Sequence, residues 1–484
     1  MPRRHVAAPA LAWDTLLDLG DGPLPLRDRL ERAVREAVHA GRIPPGAALP
    51  PSRALAQTLG ISRWVVTETY GQLVAEGVLE ATVGSGTRVP SSSQAAGPGT
   101  SALTTPPVRA ASPLRDAFRR PRFDLGPGVP DLRHVPRTQW ANAVRHALTT
   151  LPDGEFAVVD RLGHPLARTA VAAYLTRSRR AIAAPDDVLI THGATDAMTA
   201  IARGLHHAGH RALLVEDPSW PRLRQVAANT GLVPVPVPID VDGVDVDRLA
   251  SAASRTGARA ALITPAHQFP TGAALAPARR DAIVRWARAV DAVLVEDDYD
   301  AEFRYDRRPV AALQGLAPER IVLIGSLSKS VAPGFGLGWA VMPAALRERV
   351  RLGDVARPST VDQAALARFI DSGDLERHLR AARARFRRRR TALLTAIARE
   401  LPTLSVTGIA AGMHAVLELP SGVRGADAAA AAGELGVAVS ALARYRASAA
   451  QTLPESLVLG YGNLSDALVD EAVERLARGI RSQG

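Results

Sequence analysis

The stretch Ile321-Val322-Leu323-Ile324-Gly325-Ser326-Leu327-Ser328-Lys329 joins an apolar run to the single lysine of a 484-residue chain. Four consecutive aliphatic residues before glycine and serine predict a buried strand. The other 58 of the 59 lysine and arginine residues are arginines. Arginine stays protonated in proteins, whereas a buried lysine amine can lose its proton and attack a carbonyl carbon. Lys329 is therefore a candidate for a covalent bond to a carbonyl compound, unless it is a surface lysine kept by chance.

Other short apolar runs precede this stretch and alternate with alanine- and arginine-rich segments of helical character. They are Asp187–Ile190, Ala212–Val215, Ala260–Ile263 and Ala292–Val295. Such alternation predicts a mostly parallel sheet with helices on both faces. After Lys329, long helical segments are followed by two β-like runs, Ala415–Leu419 and Ser456–Gly460. This change of pattern predicts a smaller C-terminal α+β subdomain.

The chain is too long for one small core, and its composition suggests where it divides. Residues 91–122 are rich in serine, proline, glycine and alanine and lack apolar periodicity, which predicts a flexible linker. The linker separates a small domain, residues 1–90, from a larger one, residues 123–484. Within the larger domain we expect a large subdomain at about 150–350 and a small one at about 351–484.

Composition also limits the class of protein. No apolar run reaches the roughly 18 residues that a membrane span needs, and the N-terminus lacks the apolar core of a signal peptide. The absence of cysteine excludes disulfides and thiolate metal sites, so we expect a cytoplasmic protein without a metal site. The net charge is +11, yet residues 1–90 carry 10 basic and 9 acidic side chains. The six arginines within Arg383–Arg390 are interpreted as a solvated helix face, with contact to nucleic acid or phosphate as the alternative.

The N-terminal domain begins with a helical pattern over Leu26–Val38, which ends at a Gly/Pro-rich segment. Ser52 is expected to cap a short second helix. Gly60 then allows a tight turn, and Ser62 is expected to cap a third helix, Arg63–Glu76. Two short helices joined by such a turn form the helix-turn-helix layout, whose second helix enters the major groove of DNA. The residues that follow predict a β-hairpin with a glycine-rich tip.

These residues resemble the winged helix-turn-helix of GntR-type repressors across the whole domain, from Pro25 to Val89. The resemblance implies double-stranded DNA as a partner, with DNA-facing positions at Arg53, Ser62, Arg63, Thr67, Gly84, Ser85 and Gly86. The arginines suit phosphates or guanine edges. Trp64 stands where such regulators often have a small hydroxyl residue, so a base preference does not follow. A three-helix module that binds protein is the alternative.

Polar and aromatic segments follow the predicted strands of the larger domain. Gly193-Ala194-Thr195 opens a helix whose N–H groups can hold a phosphate. Glu216–Trp220 places an aromatic ring after the next strand. Thr264–Gly272 follows the third, and Glu296–Asp300 brings carboxylates after the fourth. The carboxyl ends of parallel strands are where open α/β sheets bind ligands, so we expect one site there.

Together these segments resemble the type I fold of pyridoxal-phosphate (PLP) aminotransferases, an α/β fold with a small C-terminal α+β subdomain. Thr264–Gly272 and Glu296–Phe303 are more similar still to MocR/PdxR-type regulators, which join a GntR-type winged helix to an aminotransferase-like domain. The resemblance implies that Lys329 forms the internal aldimine with the cofactor pyridoxal 5′-phosphate.

The resemblance also assigns roles to the other strand-end residues. Asp297 would pair with the pyridine nitrogen, Tyr299 would hydrogen-bond the phenolic oxygen, and Trp220 would stack on the ring. Arg222 matches a position that grips an effector carboxylate in some members, although a plain surface arginine is equally compatible with the sequence. The residues implied to hold the phosphate are Ala194, Thr195, Ser326 and Ser328.

Three positions depart from the family pattern. Gly336 replaces an arginine that binds the cofactor phosphate, and Val158 stands where a partner-subunit tyrosine commonly reaches it. Charge-assisted contacts of this kind contribute about 1.5–3 kcal/mol each, so we expect weaker phosphate binding. Val458 stands where a working aminotransferase has an arginine for the substrate α-carboxylate. We therefore expect little transaminase turnover.

Three interpretations stay open. The first, which we favour, is a homodimeric transcription regulator in which PLP, or PLP with a small amino compound as effector, changes the geometry of paired DNA-binding domains. The second is an active PLP-dependent aminotransferase with an accessory winged helix, and the third is a regulator with a degenerate PLP site. The dense winged-helix match favours the first and third. The presence of Lys329, Asp297 and Tyr299 favours the first over the third.

Overall fold

The computed structural model describes residues 13–20, 24–82, 86–90, 121–157, 160–305, 310–349, 357–448 and 453–483. The chain forms two compact units, one within residues 1–113 and one within residues 114–484. The predicted linker lies outside the described residues except for positions 121 and 122, so its boundaries stay a prediction. Within the described ranges, no helix is long and apolar enough to cross a membrane.

The first unit is a small helical domain with a two-stranded hairpin. Its elements are α1 (Trp13–Leu16), α2 (Leu26–His39), α3 (Ser52–Leu59), α4 (Arg63–Ala75), β1 (Glu80–Thr82) and β2 (Gly86–Arg88). The apolar face of α2 is buried at Leu30 and Val34, against Leu55 of α3 and Leu73 of α4. The helix predicted to start at Leu26 is confirmed.

The turn between α3 and α4 follows from its residues. Gly60 has φ +64, a left-handed conformation that costs glycine little. The Ser62 hydroxyl accepts a hydrogen bond from the Val65 N–H at 3.3 Å and caps α4, as predicted. The predicted cap at Ser52 is wrong, because Pro51 holds the cap position and Ser52 is already helical. The Ser52 hydroxyl instead accepts a hydrogen bond from Arg63 Nε at 3.4 Å.

The predicted hairpin is present behind α4. Strands β1 and β2 pair antiparallel, with Glu80 opposite Arg88 and Thr82 opposite Gly86. The predicted positions Gly84 and Ser85 lie outside the described residues.

The second unit is built on a mixed eight-stranded sheet. Its strands are β4 (Val188–Thr191), β5 (Ala212–Asp217), β6 (Val233–Asp240), β7 (Gly243–Val244), β8 (Ala260–Ile263), β9 (Val293–Asp297), β10 (Ile321–Ser326) and β11 (Gly338–Val341). The order is β4-β11-β10-β9-β8-β5-β6-β7. Strands β10, β9, β8, β5 and β6 are parallel, whereas β11 runs antiparallel between β4 and β10. The mostly parallel sheet is confirmed.

Helices cover both faces of this sheet. They are α5 (Arg137–Thr150), α6 (Pro165–Arg179), α7 (Ala194–His207), α8 (Pro221–Asn229), α9 (Val246–Thr256), α10 (Pro277–Ala289), α11 (Leu327–Ser330) and α12 (Ala344–Arg347). Adjacent residues of β5 point to opposite faces, as strand geometry requires. Leu213 packs with Ile201 of α7, and Leu214 packs with Leu249 of α9 and Ile283 of α10.

The C-terminal part forms the predicted smaller α+β subdomain. Its elements are α13 (Thr360–Asp371), α14 (Asp374–Glu400), β12 (Val406–Thr407), β13 (His414–Glu418), α15 (Gly425–Glu434), β14 (Val437–Ala438), β15 (Ser440–Ala441), β16 (Ser456–Gly460) and α16 (Val469–Arg481). Strands β12, β13, β16 and β15 form an antiparallel sheet in that order. Strand β3 (Phe123–Asp124) pairs in parallel with β14.

The arginine run on α14 is only partly a solvated face. Arg389 is buried and donates hydrogen bonds to Asp131 at 2.8 Å and Asp466 at 2.6 Å. Burial raises the pKa of Asp131, but hydrogen bonds from Arg389 and Arg133 outweigh this effect and bring the pKa to about 2. The solvated interpretation is wrong for Arg389, which ties α14 to a segment far away in sequence.

Candidate cofactor pocket and DNA-binding surface

A cavity of about 260 Å³ lies in the second unit, where strands β4, β5, β9 and β10 end. Parallel strands of one sheet bring their carboxyl ends to the same edge, which explains this convergence. The structure brings together all nine pocket residues singled out from the sequence, which are Ala194, Thr195, Trp220, Arg222, Asp297, Tyr299, Ser326, Ser328 and Lys329. Their roles towards a ligand remain predictions.

Lys329 lies on α11, directly after β10, and its amine points into the cavity. Burial lowers the pKa of this amine, while the charges of Asp297 and Asp300 act in the opposite direction. The Nζ atom donates a hydrogen bond to the carbonyl of Gly128 at 2.6 Å. A lowered pKa makes the neutral, nucleophilic form more accessible, so Lys329 can attack a carbonyl compound in the cavity.

Asp297 is the last residue of β9 and is 9% exposed. Burial and the charge of Asp298 raise the pKa of its carboxyl group to about 7, although Lys329 opposes them. A carboxyl group in this state gains from a cationic partner, because a nearby positive charge favours its ionised form. Asp297 therefore suits a ring nitrogen that carries a proton.

The N-terminus of α7 forms an anion-binding corner of the cavity. Gly193 precedes the helix with φ +113, and Ala194 and Thr195 supply its first N–H groups. These groups have no intrahelical partner, so they can bind an anion. Ser326 and Ser328 line the same cavity, and the Ser326 hydroxyl accepts the Ser328 N–H at 3.4 Å. This corner fits a phosphate group.

Aromatic rings form one wall of the cavity. Trp220 is 39% exposed and meets Phe269 edge-on, with ring centroids 5.4 Å apart. Lys329 Nζ lies 5.7 Å from the Trp220 ring centroid. Arg222, in the first turn of α8, is exposed at the cavity wall. A planar ligand ring can thus stack on Trp220, with Arg222 beside it.

The departures from the family pattern have different structural settings. Gly336 has φ +56 and is not among the residues that line the cavity. Val458, on β16, is fully buried and packs in an apolar cluster with Phe269, Leu442 and Tyr445. Val158 lies outside the described residues.

The structure adds cavity residues that sequence reasoning did not single out, among them Gly128, Asp300 and His414. A Cβ atom on Gly128 would lie 2.9 Å from Lys329 Nζ, and its φ is +89. Only glycine fits this position without strain. Asp300 belongs to the segment Glu296–Asp300, whereas the approach of His414 depends on the C-terminal sheet.

The predicted DNA-facing residues that the structure describes are exposed. Ser62, Arg63 and Thr67 are exposed on or beside α4, and Arg53 is exposed on α3. The Thr67 hydroxyl donates to the Arg63 carbonyl at 3.0 Å. Gly86 is exposed at the start of β2. Trp64, on the same helix, is 65% exposed, which leaves a large aromatic side chain available to a partner.

Comparison with known proteins matches both units. Residues 26–89 match the family described as bacterial regulatory proteins, gntR family, and residues 122–476 match aminotransferase class I and II. Solved structures share the fold of the second unit. An archaeal alanine:glyoxylate aminotransferase has a TM-score of 0.69 at 22% identity, over 77% of this chain and 93% of its own. The kynurenine aminotransferase of Pyrococcus horikoshii has a TM-score of 0.67 at 23% identity, over 77% and 95%.

Regulators are similar to the chain across both units. The HTH-type pyridoxine biosynthesis transcriptional regulator PdxR of Corynebacterium glutamicum is 31% identical over 399 residues, 82% of this chain and 83% of the relative. The probable rhizopine catabolism regulatory protein MocR of Rhizobium meliloti is 31% identical over 473 residues, 94% of each chain. The chain therefore belongs to the MocR/PdxR-type transcription regulators, in which a GntR-family winged helix-turn-helix precedes an aminotransferase-like domain.

Proposed function

We propose that this DNA-binding regulator takes pyridoxal 5′-phosphate into the cavity of its second unit, and that the bound state controls operator binding by a homodimer. One observation carries the proposal. A buried lysine of lowered pKa, a carboxyl group of raised pKa and a helix N-terminus converge on one cavity. A cytoplasmic location belongs to the same proposal, because the operator DNA lies there.

The residues present fit this cofactor. When bound, it supplies an aldehyde for the Lys329 amine and a conjugated, electron-withdrawing ring. Asp297 would pair with the protonated ring nitrogen, and Tyr299 would donate to the ring oxygen. Trp220 would cover one face of the ring. The phosphate would take the corner formed by α7 and the two serines.

An effector would enter beside the cofactor. Arg222 offers an exposed guanidinium at the cavity wall, where it can bind a carboxylate in a bidentate manner. We therefore propose that the effector is a small amino compound that carries a carboxylate. The homodimer is supported by the two-fold logic of helix-turn-helix operators.

Borohydride reduction tests the cofactor proposal directly. We expect the protein, incubated with pyridoxal 5′-phosphate, to show near-visible absorbance, and reduction to fix the cofactor mass on the peptide that contains Lys329. Lysine occurs once in this sequence, so the only other primary amine able to be labelled is the N-terminus. Lys329→Ala removes the label and Lys329→Arg serves as the charge-matched control, since a guanidinium does not react. Absence of label at Lys329 in the wild type would favour a degenerate cofactor site.

A working aminotransferase is the second candidate, because the fold is shared with such enzymes. Val458 argues against it, since a buried valine replaces the cation expected to hold a substrate α-carboxylate. Robust amino-group transfer in a screen of amino acids and keto acids, without footprints at neighbouring promoters, would favour the enzyme.

A further inference from the structure

Behind Tyr299 lies a buried histidine–aspartate pair that the proposed cofactor chemistry does not use. His267 Nδ1 is 2.9 Å from Asp300 Oδ2, and the two side chains are 2% and 1% exposed. The same Nδ1 atom is 3.1 Å from the Tyr299 hydroxyl. Tyr299 and Asp300 both line the cavity, whereas His267 stands behind them. The cluster thus connects the cavity wall to the interior.

The backbone closes over this pair. Gly412 has φ +68, and a Cβ atom there would overlap His267 and lie 2.5 Å from Asp300 Oδ2. The carbonyl of Gly412 accepts hydrogen bonds from the Tyr305 and Tyr461 hydroxyls, which hold it in place. Close packing of this kind encloses the pair on the side of Gly412.

One oxygen atom of Asp300 lacks a donor in the part of the chain that the structure describes. Its Oδ1 atom is buried without a hydrogen-bond partner among the described residues. A carboxylate only accepts hydrogen bonds, so the hydrogen on His267 Nδ1 is directed to Asp300. The Tyr299 hydroxyl is the other donor in reach. Burial raises the pKa of Tyr299 well above its ordinary value, as do the charge of Asp300 and a hydrogen bond donated to it. Tyr299 therefore stays protonated and can donate to Asp300 or into the cavity.

The remaining charged or titratable groups near Tyr299 do not compete for Asp300. The ring centroids of His414 and His267 are 4.9 Å apart. The Nε2 atom of His414 donates a hydrogen bond to the carbonyl of Pro270 at 3.0 Å. Burial, followed by the proximity of His267 and Lys329, lowers the pKa of His414 well below its ordinary value, so it is neutral. Asp297 is a further acceptor, and its charge also favours the protonated form of Tyr299.

We propose that His267 is a positioning residue that donates a hydrogen bond to Asp300 Oδ2 and so leaves the Tyr299 hydroxyl free to donate into the cavity, to an acceptor oxygen of the bound molecule. This inference rests on the proposed function, in which that oxygen is the phenolic oxygen of pyridoxal 5′-phosphate. Without the imidazole N–H, Asp300 accepts the hydrogen bond that the Tyr299 hydroxyl donates, and the bound oxygen loses its donor.

Two replacements of His267 test the role of its N–H. His267→Gln keeps an N–H donor in a similar volume, whereas His267→Leu keeps only the volume. Affinity for pyridoxal 5′-phosphate is measured by equilibrium dialysis and by titration of the near-visible absorbance, with circular dichroism to compare folding. We expect His267→Leu to weaken binding about tenfold, the scale of one hydrogen bond to a charged acceptor, and His267→Gln to stay within about threefold of the wild type.

A second substitution separates this role from simple packing. Asp300→Asn removes the carboxylate that would accept the hydrogen bond of the Tyr299 hydroxyl, so His267→Leu/Asp300→Asn should bind more tightly than His267→Leu alone. In a Tyr299→Phe background, His267→Leu should change affinity by less than about twofold, because no hydroxyl is left to redirect. Glu216 is another buried carboxylate at this edge of the sheet, and Glu216→Gln is the control. Its effect on affinity should be equal in the wild-type and Tyr299→Phe backgrounds.

The outcomes distinguish this inference from the proposed function. A wild-type protein that binds no pyridoxal 5′-phosphate overturns both. Normal wild-type binding overturns this inference alone if the leucine and glutamine variants are equally weak, or if the double variant binds less tightly than His267→Leu.

Discussion

A single side chain introduced at Gly336 tests how the cavity binds a phosphate. Nothing lies within 4 Å of a Cβ built on it, but its φ of +56 strains any L residue. We expect Gly336→Arg to tighten pyridoxal 5′-phosphate binding several-fold through a charge-assisted contact, at a stability cost of about 1 kcal/mol. Equilibrium dialysis measures the first effect and thermal unfolding the second.

Gly334→Arg is the matched control for that variant. Gly334 lies in the same turn, has open space around a Cβ and no positive φ. Gly334→Arg adds the same charge at a position that does not match the phosphate-binding arginine of the family. A local phosphate contact would be contradicted if both variants bound pyridoxal 5′-phosphate equally more tightly. It would also be contradicted if Gly336→Arg increased the affinity for pyridoxal as much as for its phosphate ester.

Individual site residues were predictable where they follow a predicted strand. Lys329, Asp297 and Trp220 stand directly after apolar runs, and parallel strands bring such positions together. The pair of His267 and Asp300 was not predictable as a pair. Their contact depends on the path of the backbone at Gly412, which belongs to the C-terminal sheet and has no local signature.

At the scale of elements, α3 and α4 present the arginines on which operator binding depends. We expect Arg53→Ala and Arg63→Ala each to weaken binding to promoter DNA upstream of the regulator's own gene, measured by footprinting over a series of salt concentrations. Loss of a phosphate contact makes the slope of log affinity against log salt shallower by about 1. Loss of a base contact relaxes specificity at one position.

Arg27→Ala provides the control, because Arg27 is an exposed arginine of α2 that pairs with Asp28. It should leave both affinity and slope nearly unchanged. Equal losses in all three variants would point to bulk charge instead of a defined surface on α3 and α4.

Element boundaries differ in how far the sequence determines them. Strands β4, β5, β8, β9 and β10 were predicted within about two residues, since strands buried on both faces form continuous apolar runs. Strand β6, in which valine alternates with proline, was not predicted. The cap of α3 was wrong because Pro51 already has a fixed φ suited to the residue before a helix. The buried state of Arg389 depends on Asp131, a partner that lies more than 200 residues away in sequence.

At the scale of the whole second unit, buried carboxyl groups make stability depend on pH. Burial raises the pKa of Glu216 to about 7, against hydrogen bonds from Thr264 and Gln268. The folded state therefore binds this proton more tightly than the unfolded chain. The contribution of Glu216 to stability is full below about pH 4.5, falls as the pH rises towards 7 and is constant above it.

Glu216→Gln removes this dependence because glutamine does not titrate. We expect the difference in free energy of unfolding, variant minus wild type, to increase from pH 5 to pH 8 by up to about 3 kcal/mol. Thermal unfolding at the two pH values measures it. Glu319→Gln is the control, since a hydrogen bond from Arg288 lowers the pKa of Glu319. Parallel curves for Glu216→Gln and wild type would refute the shift.

The hydrogen bond from Lys329 to Gly128 reaches beyond the cavity. The backbone that carries the Gly128 carbonyl runs back through Leu125, whose carbonyl accepts the Gly460 N–H at 2.7 Å, to β3. That strand is the first described after residue 90, and the chain before it continues to the DNA-binding unit. A covalent bond at Nζ takes a donor away from this backbone. One nitrogen atom is thus both the reactive group and a hydrogen-bond donor to the first described backbone segment of the second unit.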